Sequence, residues 1–368
     1  MKYLFVIQGE GRGHFTQALT LKSMLERNGH EVVSVMVGAS PRRKLPAFFT
    51  EKINTEIERF QSPNFLPSPK GKKSFVLISL LYNLLLLPVY FASILQIRSG
   101  IRRHKPDVVI NFYEILCGIS YGLMPPKTPM VNIAHQYYFL TPEFNYSGSH
   151  KTAFFFLRFY TRITAWNATK ILALSFRRST VNNYGAISIV PPLLRREIMQ
   201  LTPSTGNYIH GYMLNSGYAR EIAKWSEYNL YEHLHFFWDK KEADKVTKLT
   251  PNLTLHTLND VLFMEYMAGC KAYATTAGFE SVCEAMYLMK PIMMIPTHIE
   301  QECNAMDAME SGAGISSDRF QLDQLLDYLP QHRKTAEFRY WANTAEQKII
   351  DELVSIENST ESNVFAIL

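Results

Sequence analysis

The chain has 368 residues, 47% of them hydrophobic and 19% charged, with a formal net charge of +5. That length and apolar content exclude a disordered chain and suit two cores better than one, and so mild a charge does not call for nucleic acid as a partner. Cys117, Cys270, Cys283 and Cys303 form no CxxC pair and have no histidine at zinc spacing, so reduced core thiols are expected and no metal or cofactor.

Met1 and Lys2 lead directly into an apolar run, Tyr3 to Ile7, without a basic leader, from which a cytoplasmic location is expected. This strand meets Gln8-Gly9-Glu10-Gly11-Arg12-Gly13-His14, a glycine-rich loop opening a helix from Phe15 to Asn28 that Gly29 closes. The loop lacks the dinucleotide spacing, but it sits where α/β sheets place ligand loops. Further strands are expected at Glu31 to Val37, near Ile53 to Phe60, and at Val108 to Asn111, Met130 to Ala134, Ile171 to Leu174 and Ser188 to Val190, with helices between, the alternation of a doubly wound parallel sheet.

Ser74 to Ile97 carries no charged residue and is long enough to cross a bilayer, which takes about 20 residues. A span there would cut the first sheet in two, and Asn83 and Pro88 interrupt the pattern, so one or two helices, partly core and partly exposed, are expected. Lys70, Lys72 and Lys73 precede the stretch and Arg98, Arg102, Arg103 and Lys105 follow it. Such flanks suit an anionic membrane surface, and the aromatic and basic run Phe154 to Arg162 can join that face.

Pro191 to Asn207 loses periodicity and reads as a linker. A second alternating series follows at Tyr208 to Tyr212, Leu234 to Trp238, Leu253 to His256, Lys271 to Ala274 and Ile292 to Ile295. The expected division is a domain over 1–195, a second over 196–356 and a flexible tail over 357–368, with the amphipathic run Glu337 to Val354 folding back across the cleft. The fold class is α/β, with two Rossmann-like doubly wound domains facing across a cleft.

The richest segment is Ala274 to Asn304. After its strand, Thr276, Ala277 and Gly278 lead into a helix beginning Phe279, Glu280, Ser281, where small residues and a helix N-terminus make an anion site. Glu284, farther along that helix, suits the hydroxyls of a ribose, and Glu300, Gln301 and Asn304, placed on the next loop, suit the hydroxyls of a sugar. Gly211, at the end of the second domain's first strand, is expected beside the nucleotide.

This order and spacing resemble the donor site of GT-B glycosyltransferases, especially the branch of the bacterial transferase that adds N-acetylglucosamine to undecaprenyl-linked muramyl-pentapeptide. That enzyme carries its ribose glutamate six positions after the glycine, as Glu284 follows Gly278, and its sugar-binding Gln and Asn match Gln301 and Asn304. Where the family often has two glutamines, this chain has Glu300 before Gln301. The resemblance implies transfer of a hexose from a UDP-sugar, with inversion, to a glycan or polyprenyl-linked acceptor such as a surface polysaccharide of the cell envelope, by a protein lying in the cytoplasm or peripherally on the inner face of the plasma membrane. No DxD motif is evident, so metal independence is expected.

The N-terminal loop resembles the histidine-bearing glycine loop of the same branch. It makes His14 the foremost candidate base, with Gly11, Arg12 and Gly13 on the acceptor side. A helix N-terminus favours its neutral form. Glu114 and His135, both after strands, are alternative bases. A UDP-sugar 2-epimerase, or a non-catalytic nucleotide-sugar or glycan-binding protein, would share the same cradle.

Overall fold

The computed structural model describes residues 1–64, 76–181, 183–214, 216–239 and 244–365. The first half runs β1 (Lys2–Gln8), α1 (Gly13–Arg27), β2 (Glu31–Ala39), α2 (Ala47–Lys52), β3 (Ile57–Gln61), α3 (Val76–Leu85), α4 (Leu87–His104), β4 (Val108–Phe112), α5 (Ile115–Leu123), β5 (Met130–Ala134), α6 (Lys151–Thr164), β6 (Lys170–Leu174), β7 (Asn183–Tyr184) and β8 (Ile187–Val190). The sheet order is β3-β2-β1-β4-β5-β6-β8-β7, parallel except for the antiparallel edge strand β7. Tyr3 to Ile7 are fully buried because helices cover both faces, which is why the strand reads as an unbroken apolar run.

The second half runs α7 (Arg196–Gln200), β9 (Tyr208–Met213), α8 (Ala219–Tyr228), β10 (His233–Trp238), β11 (Val246–Thr250), β12 (Leu253–Thr257), α9 (Asp260–Gly269), β13 (Ala272–Thr275), α10 (Phe279–Tyr287), β14 (Ile292–Met294), α11 (Ile299–Glu310), β15 (Gly314–Ser316), α12 (Leu322–Tyr328), α13 (Glu337–Asn343) and α14 (Ala345–Phe365). Its order is β11-β12-β10-β9-β13-β14-β15. Strand order reverses between β1 and β4 in one sheet and between β9 and β13 in the other, so α1 and α10 both start at switch points, where open α/β sheets bind ligands.

Local chemistry sets the ends of these elements. Helix α1 stops in a Schellman turn, with Gly29 at φ +76 and bonds from Gly29 N to Glu26 O (3.1 Å) and His30 N to Leu25 O (2.9 Å). The run Glu337 to Val354 is split at Thr344 into α13 and α14, and α14 returns to the first sheet: Ile349, Leu353 and Ile356 share one core with Tyr3 and Phe15, and Glu352 pairs with Lys170. The helix continues to Phe365, so the segment expected as a tail is helical over most of its length, because an established helix extends with little further cost. All four cysteines are free and buried.

From Val76 on, the charge-free stretch forms α3 and α4, and no helix of the described residues is long and apolar enough to cross a membrane. One face of α4 buries Tyr90, Ile94 and Ile97, while Leu87, Phe91 and Leu95 remain exposed. Lys70, Lys72 and Lys73 lie outside the described residues.

Gly211 corrects an expectation. It lies inside β9, paired to Phe236 on one side and Ala274 on the other, and a Cβ there would run into the Phe236 ring. The glycine makes room for a core phenylalanine and does not reach a ligand loop. Gly211→Ala is therefore expected to cost about 1–3 kcal/mol through overpacking, read as a fall in Tm, with nucleotide affinity of the folded protein unchanged; an unchanged Tm with lost affinity would contradict this.

Candidate functional site

The two switch points meet across the cleft. Arg12 caps α1 and pairs with Asp260 of the second domain at 3.2 Å while lying over the Phe48 ring, so it is a bridging residue and not a free loop arginine. Gly11 is exposed. A Cβ at Gly13 would meet the Glu280 carboxylate, so the glycine leaves the room into which that side chain reaches from α10.

His14 follows, partly exposed, with Nδ1 3.1 Å from Gln17 Oε1 and its ring stacked on Tyr113 at 5.8 Å. Its pKa is lowered, chiefly by burial, against opposing pulls from Gln17 and Glu300. The neutral form expected from the sequence is favoured, with desolvation as the main cause. Gln17 donates from Nε2 to Glu280 Oε1, which joins the histidine loop to the first turn of α10.

The cradle itself is unusual in its backbone. Ala277, not Gly278, takes the left-handed conformation, at φ +58, and Asn304 Nδ2 holds its carbonyl at 3.1 Å. Gly278 has φ −71, and a Cβ there would meet only Ser281 Oγ at 3.8 Å. Open space thus lies over the start of α10, whose first N–H groups have no partner within the helix. Thr276 is buried, and Ser281 Oγ bonds Gly278 O at 3.2 Å.

Glu284 is buried and both Nε and Nη2 of Arg195 converge on its Oε1 at 2.6 Å. Burial raises its pKa while Arg195 pulls it down. Glu280 is pushed up to about 7, first by burial, with Glu284 and Glu300 adding to the rise.

Glu300, Gln301 and Asn304 lie on the first turns of α11, not on a loop, because the helix starts directly after His298. Glu300 accepts from Gln136 Nε2 at 2.9 Å and is partly exposed. Gln301 is turned inward, accepting from Thr297 N at 2.9 Å and Thr297 Oγ1 at 2.7 Å.

Two candidate bases leave the site. His135 is 1% exposed, is stacked on Phe279 at 4.0 Å with 14° between planes, and has Nδ1 2.7 Å from Leu174 O. Burial drives its pKa to about 3. Glu114, fully buried, caps α5 through Leu116 N at 3.1 Å and accepts from Ser62 Oγ at 2.6 Å. A position after a strand said nothing about which neighbouring residues would cover these side chains. Arg195, Gln17, Tyr113 and Gln136 were missed; the paired arginines Arg195-Arg196 just after Pro191 and Pro192 were the only visible signal.

Beside this cluster, α1, the linker and the α13–α14 corner line a half-open cavity of about 610 Å³, with Thr16, Arg195, Asp260 and Asn343 in its wall.

A family model described as "Glycosyl transferase family 1" matches residues 1–331. No curated protein matches the sequence. Among solved structures, the fold is similar to MurG of Acinetobacter baumannii, with 16% identity, TM-score 0.54 and coverage of 95% of this chain and 99% of that one. It is also similar to UGT2 of Phytolacca americana complexed with UDP-2fluoro-glucose and pterostilbene, with 12% identity, TM-score 0.63 and coverage of 96% and 99%. The UDP-GlcNAc 2-epimerase of Neisseria meningitidis bound to UDP-GlcNAc gives 11% identity, TM-score 0.63 and coverage of 96% and 100%. These structures share the two-domain GT-B architecture.

The shift at His135 yields a stability prediction. The unfolded side chain titrates near 6.5 and the folded one at about 3, so its contribution is complete above 6.5 and is lost as pH falls toward 3. The Tm of His135→Phe relative to the unmodified protein should therefore rise between pH 7 and pH 5; a constant difference would refute the assignment.

Proposed function

The chain belongs to glycosyl transferase family 1, and on that footing we propose that this glycosyltransferase takes a hexose from a UDP-sugar and passes it, with inversion and without a metal ion, to a glycan or lipid-linked acceptor. The observation that carries the reading is the opposition of His14 to the free N-terminus of α10, with Glu284 and Arg195 at its flank. The diphosphate is held by the N–H groups of Phe279, Glu280 and Ser281 and by the Arg195 guanidinium, which supply the positive field that a cation would otherwise provide. Thr276, Ala277 and Gly278 shape the space above them.

The ribose bonds the second oxygen of Glu284, since Arg195 occupies the first. Glu300 receives hydroxyls of the hexose, while Gln301 and Asn304 keep α11 and the Ala277 turn in register. His14 Nε2 removes the acceptor proton as the acceptor oxygen attacks the anomeric carbon, and the glycosyl–phosphate bond breaks with its electrons passing to the diphosphate. The protein lies in the cytoplasm.

For the acceptor, the exposed Leu87, Phe91 and Leu95 of α4, Leu123 of α5 and Phe155, Phe156 and Phe159 of α6 support a lipid-linked substrate met at an anionic membrane surface, with Arg102, Lys105 and Arg162 also exposed. Replacing Phe155, Phe156 and Phe159 together by serine should abolish sedimentation with phosphatidylglycerol vesicles and leave UDP binding intact. Retained sedimentation would remove this face from the account.

Calorimetry and turnover test the core of the reading. Glu284→Ala should weaken UDP binding at least about tenfold, the loss of one charge-assisted bond. His14→Ala should bind UDP normally yet lose about 10²-fold or more in release of UDP from its sugar donors. A His14→Ala protein with full turnover, or products that are sugar epimers, would contradict it.

A further inference from the structure

His14 does not stand alone. Its Nδ1 lies 3.1 Å from Gln17 Oε1, and Gln17 Nε2 reaches the Glu280 carboxylate, which belongs to the opposite domain. Gln17 is 2% exposed, one helical turn from His14 on α1, and Gly13 supplies the gap through which Glu280 enters. From this geometry we infer that Gln17 and Glu280 form a positioning relay across the cleft that sets the tautomer of His14, so that the base is competent only when the two domains are together and Glu280 is ionised. The inference rests on His14 being the base.

Donor and acceptor capacity sets the orientation of each group. An ionised carboxylate only accepts, so the Gln17 amide must turn Nε2 toward Glu280 and Oε1 toward His14. Facing a carbonyl oxygen, His14 Nδ1 must carry the ring proton, and Nε2 keeps the lone pair that takes the acceptor proton. When Glu280 binds a proton, its O–H needs an acceptor. The amide then turns over, Oε1 receives the Glu280 proton, Nε2 donates to His14 Nδ1, and the imidazole proton moves to Nε2, where it blocks base action. During transfer the imidazolium formed at His14 is opposed by the Glu280 charge through the amide.

The groups facing this relay are Glu284 and Cys283 on the same helix, Glu300 on α11, His14 on α1, and Tyr113 and Tyr160 near Glu300. Two of them are carboxylates that oppose ionisation of Glu280, and Gln17 favours it. With its pKa near 7, Glu280 switches the relay within the neutral range. Helix α10 presents this carboxylate beside the anion cradle, where a glutamate is otherwise unfavourable company for a diphosphate. A role toward His14 accounts for its presence there.

The test uses the full chain and release of UDP from UDP-glucose and from UDP-N-acetylglucosamine, followed from pH 5.5 to 8.5 with Tm recorded for each variant. Glu280→Gln keeps the shape and loses the charge; Gln17→Met keeps the volume and breaks the chain. Both should lose at least about tenfold in kcat, Gln17→Met with donor KM nearly constant and Glu280→Gln with donor KM unchanged or lower, and the double variant should have a kcat no worse than that of the poorer single one, as expected of residues acting as a unit.

The unmodified protein should gain rate as pH rises through about 7, the range of Glu280, and Glu280→Gln should lack that limb. If Glu280→Gln fails to fold, Gln17→Met decides. Single variants with normal kcat and an unaltered limb, beside an inactive His14→Ala, would overturn the relay while leaving the base in place. An active His14→Ala would overturn the base and the relay together.

Discussion

The structure depends on one constraint: carboxylates that the second domain carries into the seam between domains must be met by donors from the first domain and the linker. Arg195 meets Glu284, Gln17 meets Glu280 and Gln136 meets Glu300 through hydrogen bonds, while Arg177 answers Asp307 as an ion pair alone. A carboxylate left unpaired in such a place costs several kcal/mol or takes up a proton. Burial pushes Asp307 up to about 7 even with Arg177 3.1 Å away. The seam therefore fixes how α1 and α10 face each other, and with it the distance between the His14 loop and the first turn of α10.

The same arrangement explains why the cradle is open. Ala277 holds a left-handed backbone that an alanine adopts only at a cost of about 1–2 kcal/mol, and the Asn304 amide secures it from α11. That turn sets the start of α10 with its N–H groups toward the cleft. Phe279 on the same turn packs on His135, so the helix is anchored from below by an aromatic contact and answered from above by α1.

Much of the fold was legible because parallel strands covered on both faces must be apolar. Met130 to Ala134 was bounded correctly to the residue, while β7, β11 and β15 escaped because they are short or lie at sheet edges. The helix that Gly278 opens and that carries Glu284 was legible in the sequence. Its partners were not, since Arg195 and Gln17 reach α10 from 89 and 263 positions away. Local pattern also misled at Gly211, where the glycine serves Phe236 across the sheet, and at His135, whose surroundings come from three separate elements.

In the proposed mechanism, domain pairing, helix orientation and base chemistry converge on one place, the space between His14 and the first turn of α10. A crystal structure of the full chain with UDP-glucose tests that claim most directly. The account predicts the diphosphate against the N–H groups of Phe279, Glu280 and Ser281, the ribose on Glu284 and the anomeric carbon facing His14. A nucleotide lodged elsewhere, with that space empty, would contradict it.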